Sequence, residues 1–371
     1  MFWEKEGKLI YSYDGETVCI EAWGKDALRV RATKNRSFTG RDWALEAKDA
    51  HAGEVEIFED PSAKGGAFAN MYEGTDTSYG KITNGKLHAV IDSGSVITFY
   101  HEDGRVLLKE HFRRLRDEES MPLNIMGREY SNGVGDNFRI VTRFVARKGE
   151  KIFGMGQYQQ HELDLKGCML ELAQRNSQVS VPFYLSSIGY GFLWNNPGVG
   201  QVMFANNGTE WVTESGKEID YLVIAGDTPA EIEENYMTLT GKPPMMPEYG
   251  MGFWQCKLRY WNQEQLLSVA RKYKELGIPL DVIIVDFFHW TKQGEFKFDP
   301  KYWPDVPGMC RELKEMGIQV VVSVWPTVDI YSENFEEMKE KGYLVRTEHG
   351  VPLTMLCGGN EVFFDATNPD A

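Results

Sequence analysis

The sequence is poor in the features that usually decide a function quickly. Its 371 residues hold only five cysteines, Cys19, Cys168, Cys256, Cys310 and Cys357. They are odd in number and far apart, with no C-x-x-C pair, which argues against a disulfide framework and against a zinc site. They read as reduced thiols. Basic residues are outnumbered: 40 Lys and Arg against 55 Asp and Glu leave a net charge of −15, and such a surface repels phosphate backbones and anionic headgroups. Nucleic acid and membrane are not expected partners. No run approaches the ~18 uninterrupted apolar residues of a spanning helix, and Met1-Phe2-Trp3-Glu4-Lys5-Glu6 lacks a signal-peptide layout. A cytoplasmic protein is expected. The seven histidines show no H-E-x-x-H spacing, and Gly154-Met155-Gly156 lacks the third glycine of a dinucleotide loop, so neither metal nor cofactor is expected. Asn35-Arg36-Ser37 and Asn207-Gly208-Thr209 read as chance matches to a glycosylation acceptor.

What is present is ordinary globular composition, with 42% apolar and 26% charged residues, and length enough for two domains. Up to about residue 240 the pattern is short strands broken by turn residues, the mark of a sandwich or barrel. Leu28, Val30 and Ala32 alternate with Arg29 and Arg31. Leu87, Ala89 and Ile91 precede Asp92-Ser93-Gly94; Ile97 and Phe99 lead to Glu102-Asp103-Gly104-Arg105, after which Val106 and Leu108 resume. Two successive hairpins are predicted. The prolines of Gly241-Lys242-Pro243-Pro244 and Pro247 mark a boundary, giving a β-sandwich domain over 1–242 and a second domain over 247–371.

In the second domain the periodicity changes. Strands are predicted at Gly250–Cys256, Leu280–Asp286 and Ile318–Trp325, and helices at Asn262–Leu276 and Met309–Met316. Asn262, Gln265 and Gly277 punctuate the first helix, and Leu266, Leu267, Val269, Ala270 and Tyr273 form its apolar stripe. A third helical stretch, Glu333–Lys341, precedes Tyr343–Arg346 and Glu361–Asp365, and Thr367–Ala371 reads as the opening of a helix. Alternating strands and helices suggest a (β/α) barrel or a doubly wound sheet. About 125 residues follow Met246, whereas an eight-stranded barrel takes ~250, so at most four strands are placed and half a barrel is expected.

In a parallel barrel the chemistry sits at strand C-terminal ends. Here those ends are aromatic or acidic: Trp254, then Lys257-Leu258-Arg259-Tyr260; Asp286-Phe287-Phe288-His289-Trp290; Trp325-Pro326. Asp286 closes an apolar strand, where it serves either as a ligand-binding carboxylate or as a loop anchor. Trp254, Trp290 and Trp325 are read either as flat faces for a sugar's C–H side or as core packing. Asp299 and Asp305 read as turn and helix cap, Asp365 as a cap, and Asp329 as a weaker candidate; His289 reads as a solvated loop residue. Cys256 has no histidine partner nearby in sequence, so thiol catalysis is not expected.

The stretches Gly252-Phe253-Trp254-Gln255-Cys256-Lys257-Leu258-Arg259-Tyr260, Ile278–Asp286, Gly294–Pro300 and Val324-Trp325-Pro326 together resemble family 31 glycoside hydrolases. Asp26–Arg31 and Phe153-Gly154-Met155-Gly156-Gln157 look like that family's β-sandwich. The resemblance implies a retaining, exo-acting α-glycosidase with an N-terminal antiparallel β-sandwich followed by the first part of a truncated (β/α)8 barrel. It implies an oligosaccharide substrate, terminal α-linked xylose or glucose, with the xylosidase branch the closer. It assigns Asp286 to the hydroxyls of the terminal sugar and Trp325, Phe287 and Trp290 to the wall beside it; Trp254 and, from the sandwich, Gln157 complete the substrate-binding set. It also implies that the nucleophile and the acid/base, which retaining hydrolysis needs as a pair ~5 to 5.5 Å apart, lie beyond this sequence. No catalytic residue is therefore assigned, and the chain alone is expected not to turn over. A homo-oligomer of the intact enzyme is left open. The alternative is a non-catalytic carbohydrate-binding or assembly module; a barrel enzyme of another kind, such as an isomerase, fits the paired sandwich less well.

Overall fold

Ala27–Thr33 forms the strand its alternation predicts, but both of its faces are covered. Leu28, Val30 and Ala32 enter the main apolar core, while Arg29, on the other face, is wholly buried. This doubly covered strand lies in the middle of the larger sheet in a computed structural model of the chain. The structure describes all residues except 47–48, 60–77, 93, 112, 115–123, 348 and 356–359; Ser93 of the first expected hairpin turn and Cys357 lie outside the described residues. The four remaining cysteines, Cys19, Cys168, Cys256 and Cys310, are free thiols.

The chain divides into two units, Met1–Pro243 and Pro244–Ala371. The first is an antiparallel β-sandwich. Its large sheet runs, edge to edge, Phe2–Lys5, Lys8–Tyr13, Glu16–Trp23, Ala27–Thr33, Ile219–Ala225, Tyr190–Trp194, Val179–Ser186 and Ile152–Gln157. Two smaller antiparallel sheets face it. One contains the predicted hairpins, Leu87–Ile91 with Ile97–His101 and Ile97–His101 with Val106–Lys109. The other is built on Phe138–Phe144 and Thr209–Gly216. One core joins all three, from Leu9 and Val30 through Phe99 to Phe144, Phe192 and Trp211. The Gly154-Met155-Gly156 motif is a bulge: the register against Val179–Ser186 shifts between the two glycines, and a Cβ on Gly156 would fall 2.3 Å from the Val179 carbonyl oxygen.

The expectation of strands up to about residue 240 is corrected at its end, because Pro229–Thr240 is an α-helix. Thr228 caps it, accepting from the Glu231 N–H at 3.2 Å, and Ile232 and Leu239 pack on the sheet's Leu222 and Ile224.

The second unit contains the parallel element of a barrel. Trp254–Gln255, Val282–Val285 and Gln319–Val322 pair in parallel in that order. Gln263–Glu275 and Val306–Glu315 are the intervening helices, and the apolar faces of strands and helices close on Leu266, Ala270, Ile283, Val285, Met309 and Leu313. Asn262 and Asp305 cap these helices, accepting from the N–H groups of Gln265 and Gly308 at 2.9 Å each. The predicted strand Gly250–Cys256 shrinks to two residues. Glu248–Met251 forms a 3-10 turn instead, and the Asp281 carboxylate takes the Phe253 N–H at 2.8 Å where a ladder carbonyl would sit. The fourth predicted strand is also corrected. Glu361–Phe363 pairs antiparallel with Thr327–Asp329, and Tyr343–Arg346 makes only isolated bridges, so neither extends the parallel sheet. The third helix is shorter than expected, at Phe335–Glu340, and residues 366–371 are turns rather than the opening of a helix.

Candidate functional site

The middle strand of the parallel sheet, Val282–Val285, is apolar because both faces pack, and Asp286 is the first residue past its C-terminal end. Next door, the Ser323 N–H donates to the Val285 carbonyl at 2.9 Å, so the neighbouring strand ends at the same level. The chain then turns abruptly. Phe287 and Phe288 both adopt left-handed backbone, φ 51° and 57°. For bulky residues this costs on the order of 1–3 kcal/mol each and persists only where the surroundings impose it. The turn carries Phe287 to within 5.0 Å of the Trp325 ring and 6.3 Å of the Trp290 ring, centroid to centroid. Phe287, Trp290 and Trp325 thus form one aromatic group beside Asp286, on loops that follow two adjacent strands.

Of the other two expected residues, one lies in the second unit and one in the first. Trp254 lies on the edge strand, 41% exposed, its indole N–H donating to the Gly250 carbonyl at 3.3 Å; among the described residues no ring contact ties it to the Phe287 group. Gln157 belongs to the first unit, where it is exposed at the end of its strand opposite Val179. Phe288 and Arg259, read at the strand ends but given no role, and Trp261, which the sequence reading missed, belong with the aromatic group. Phe288 lies under the Arg259 guanidinium at 5.0 Å, and the same guanidinium covers Trp261 at 3.5 Å. The Lys257-Leu258-Arg259-Tyr260 run was the available signal, since a cation following a strand in an aromatic neighbourhood finds a ring face.

The Cys256 thiol donates to Asp286, its Sγ 3.7 Å from Oδ2. Partial burial pushes the thiol up, and the Asp286 charge pushes it further in the same direction. His289 corrects an expectation: it is buried, at 4% exposure, between Trp290 and Phe298, with Nδ1 lacking a hydrogen-bond partner among the described residues. Burial lowers its pKa, and the charge of Asp286 offsets part of that, so the ring is neutral near pH 7. Asp299 serves its turn as expected, Asp329 also bonds to backbone, and Asp365 caps no helix. Asp299 accepts from the Lys301 N–H at 2.9 Å, Asp329 from Tyr331 at 2.7 Å and Asp365 from Thr367 at 3.0 Å, the last in a turn without a following helix.

Two cavities open among the loops that follow these strands, and Asp286 lines neither of them. One of about 320 Å³ is lined by Arg259, Trp261, Phe287 and Phe288. Another of about 240 Å³ is lined by His289, Trp290, Phe298 and Trp325. A carboxylate next in sequence to an aromatic group can accept hydrogen bonds from a polyol whose C–H face lies on the rings. One carboxylate does not suffice for displacement with proton delivery to the leaving oxygen.

Residues 243–371 match the glycosyl hydrolases family 31 TIM-barrel domain, and residues 17–202 match the glycosyl hydrolase 31 N-terminal galactose mutarotase-like domain. The chain is 42% identical over 379 residues to an uncharacterized family 31 glucosidase, ORF2, of Pseudescherichia vulneris, covering 99% of this chain and 68% of that protein. It is 36% identical over 219 residues to the α-xylosidase of Saccharolobus solfataricus, covering 56% of this chain and 30% of that one. A crystal structure of a family 31 α-xylosidase from a soil metagenome, complexed with xylose, superposes on the whole chain with a TM-score of 0.89 at 46% identity. The xylosidase of Aspergillus niger superposes on 98% of it with a TM-score of 0.80 at 27% identity. The chain spans 54% and 51% of those two structures.

Proposed function

Because this chain belongs to glycoside hydrolase family 31, we propose that its second unit carries the sugar-gripping part of a retaining, exo-acting α-xylosidase. The observation that carries the reading is Asp286 at the C-terminal end of the central parallel strand, with Phe287, Trp290 and Trp325 gathered beside it. In this reading the Asp286 carboxylate accepts hydrogen bonds from hydroxyls of the terminal xylose. Such bonds are charge-assisted and roughly twice as strong as neutral ones. The rings take the C–H face and keep water from the carboxylate, which strengthens those bonds further. Trp254 and Gln157 are also proposed as substrate-binding residues, the first from the second unit and the other from the sandwich. Xylose is preferred to glucose because the relative of highest identity quoted above, at 46%, was solved with xylose.

The nucleophile and the acid/base of retaining hydrolysis are assigned to no residue of the 371. The polypeptide is therefore expected to bind α-xylosides without cleaving them. Calorimetric titration with p-nitrophenyl α-xyloside tests this, alongside release of p-nitrophenol. Expected are saturable binding, at least tenfold weaker in Asp286→Ala than in the unaltered chain, and no release. Undiminished binding by Asp286→Ala overturns the Asp286 assignment. Turnover that Asp286→Asn abolishes overturns the separation of gripping from bond breaking.

A further inference from the structure

The sandwich unit holds a cleft of about 800 Å³ that the reading above does not use. It lies where the segment following Ala27–Thr33 passes residues 196–198 and 215–218. Trp43 lines it with half of its surface in water (50%), while its own backbone is held at φ 53°. A bulky residue in the left-handed region is strained, and such strain lasts only where the surroundings over-determine it.

Here they do. Arg29 Nη1 donates to the Asp42 carboxylate and Nη2 to the Arg41 carbonyl, both at 2.8 Å. Asn195 donates to the Asp42 carbonyl at 3.1 Å and accepts from the Ala44 N–H at 3.3 Å. Upstream, the Glu218 carboxylate accepts from the N–H and the hydroxyl of Thr39, both at 2.8 Å. The loop is tied on each side of Trp43, and none of these ties uses the indole. The fold thus sustains a strained backbone and a half-exposed indole at one position, a combination that does nothing for the core and suits a ligand platform.

The rest of the cleft fits one ligand chemistry. Phe38 is held by the Arg31 guanidinium, 5.0 Å over its ring. Arg36 and Arg41 are exposed and, among the described residues, form no ion pair. Lys217 is neutralised by Asp136 at 2.7 Å, so the lining charges nearly balance and favour an uncharged ligand over a polyphosphate. The Asn35 amide nitrogen, the atom a glycan would need, donates instead to the carbonyls of Asp136 and Lys217 at 2.9 and 3.1 Å, which makes Asn35-Arg36-Ser37 part of the cleft wall. An aromatic plate flanked by donors and acceptors suits a ring with an apolar face and a rim of hydroxyls. The volume falls in the ~300–1,000 Å³ range of small-molecule sites.

We propose that this cleft is a second saccharide site, in the sandwich unit, which stacks a neutral oligosaccharide on Trp43 and bonds its hydroxyls through Arg36 and Arg41. The assignment does not depend on that of Asp286. The test uses the 371-residue chain and calorimetric titration with xylotetraose, maltotetraose and isomaltotetraose, in the Asp286→Ala background so that only the sandwich is read. At least one of the three is expected to bind. Adding Trp43→Gly should weaken that binding at least tenfold and leave the melting temperature unchanged or higher, because glycine relieves the positive φ. Arg36→Ala with Arg41→Ala should weaken it several-fold. Failure of all three sugars to bind, undiminished binding after Trp43→Gly, or a fall in melting temperature after Trp43→Gly would each overturn the proposal.

Discussion

The Cys256 thiol stands 3.7 Å from Asp286 Oδ2, across the ends of two neighbouring parallel strands. Cys256 is exposed, whereas Cys19 is buried and Cys168 and Cys310 are partly so. The thiolate is the reactive form, and burial together with the Asp286 charge keeps this thiol above its usual 9.0. Alkylation of Cys256 by N-ethylmaleimide should therefore be slow near neutral pH and still accelerating above pH 9. Asp286→Asn removes the charge that opposes ionisation, so alkylation of this variant should be faster at any pH below the thiol pKa. Peptide mass spectrometry over time reads both rates. Equal rates would show that the carboxylate does not govern the thiol. Alkylated protein should also lose α-xyloside binding, and Cys256→Ser should keep it in the presence of the reagent.

His289 sets a pH dependence in the opposite sense to a paired histidine. Burial holds the folded ring below its usual 6.5, with Asp286 pulling weakly upward. As pH falls through that usual value the unfolded chain takes up a proton that the folded chain refuses, so acid favours unfolding and stability rises with pH. The contribution is complete above pH ~6.5 and shrinks below it. Between about pH 7.5 and about pH 5 the melting temperature of His289→Gln should fall less than that of the unaltered chain. Parallel curves for the two proteins would refute the assignment.

Much of this was legible in the sequence where local chemistry and tertiary packing agree. Asn262, Gln265 and Gly277 punctuate the Gln263–Glu275 helix, and Asp286 closes an apolar strand, because capping groups and two-sided burial leave direct marks on residue type. The Pro229–Thr240 helix was missed although Thr228-Pro229 and Glu231 are start signals; its weak apolar stripe, Ile232 and Leu239, hid it among strands. The turn at Phe287 and Phe288 left no mark at all. Nothing in residue type marks two aromatic residues after Asp286 as left-handed; their surroundings include Trp325, Trp290 and Arg259. His289 was read as solvated for the same reason, since Phe298, nine positions on, is what covers it.

The two capping residues of the second unit give a measurable check on its local structure. Asn262 and Asp305 each satisfy one N–H at the start of a helix that packs on the parallel sheet. Asn262→Ala and Asp305→Ala should each cost about 1 kcal/mol, read as a lower urea midpoint at unchanged slope. Asn262→Asp keeps an acceptor in place and should cost much less. An alanine that changes nothing would mean that the cap is already open in solution.

Arg29 offers a large single effect in the sandwich. Wholly buried, it donates to both oxygens of Asp220 at 2.9 and 2.6 Å and also to Asp42. Asp220 is itself 1% exposed. Arg29→Ala leaves that carboxylate buried without its partner, which should cost about 3–5 kcal/mol, whereas removing both charges together should cost far less than the two single losses combined. Arg29→Met with Asp220→Leu, completed as a double-mutant cycle with the single variants, measures the coupling by urea unfolding. The same guanidinium anchors Asp42 and the Arg41 carbonyl beside Trp43, so Arg29→Met with Asp220→Leu separates two roles. If the double variant regains stability but oligosaccharide binding to the sandwich stays weak, Arg29 both holds the sheet and positions the Trp43 loop. If binding returns with stability, the loop keeps its strained conformation without Arg29, and the tie through Asn195 and Glu218 alone holds Trp43 in place.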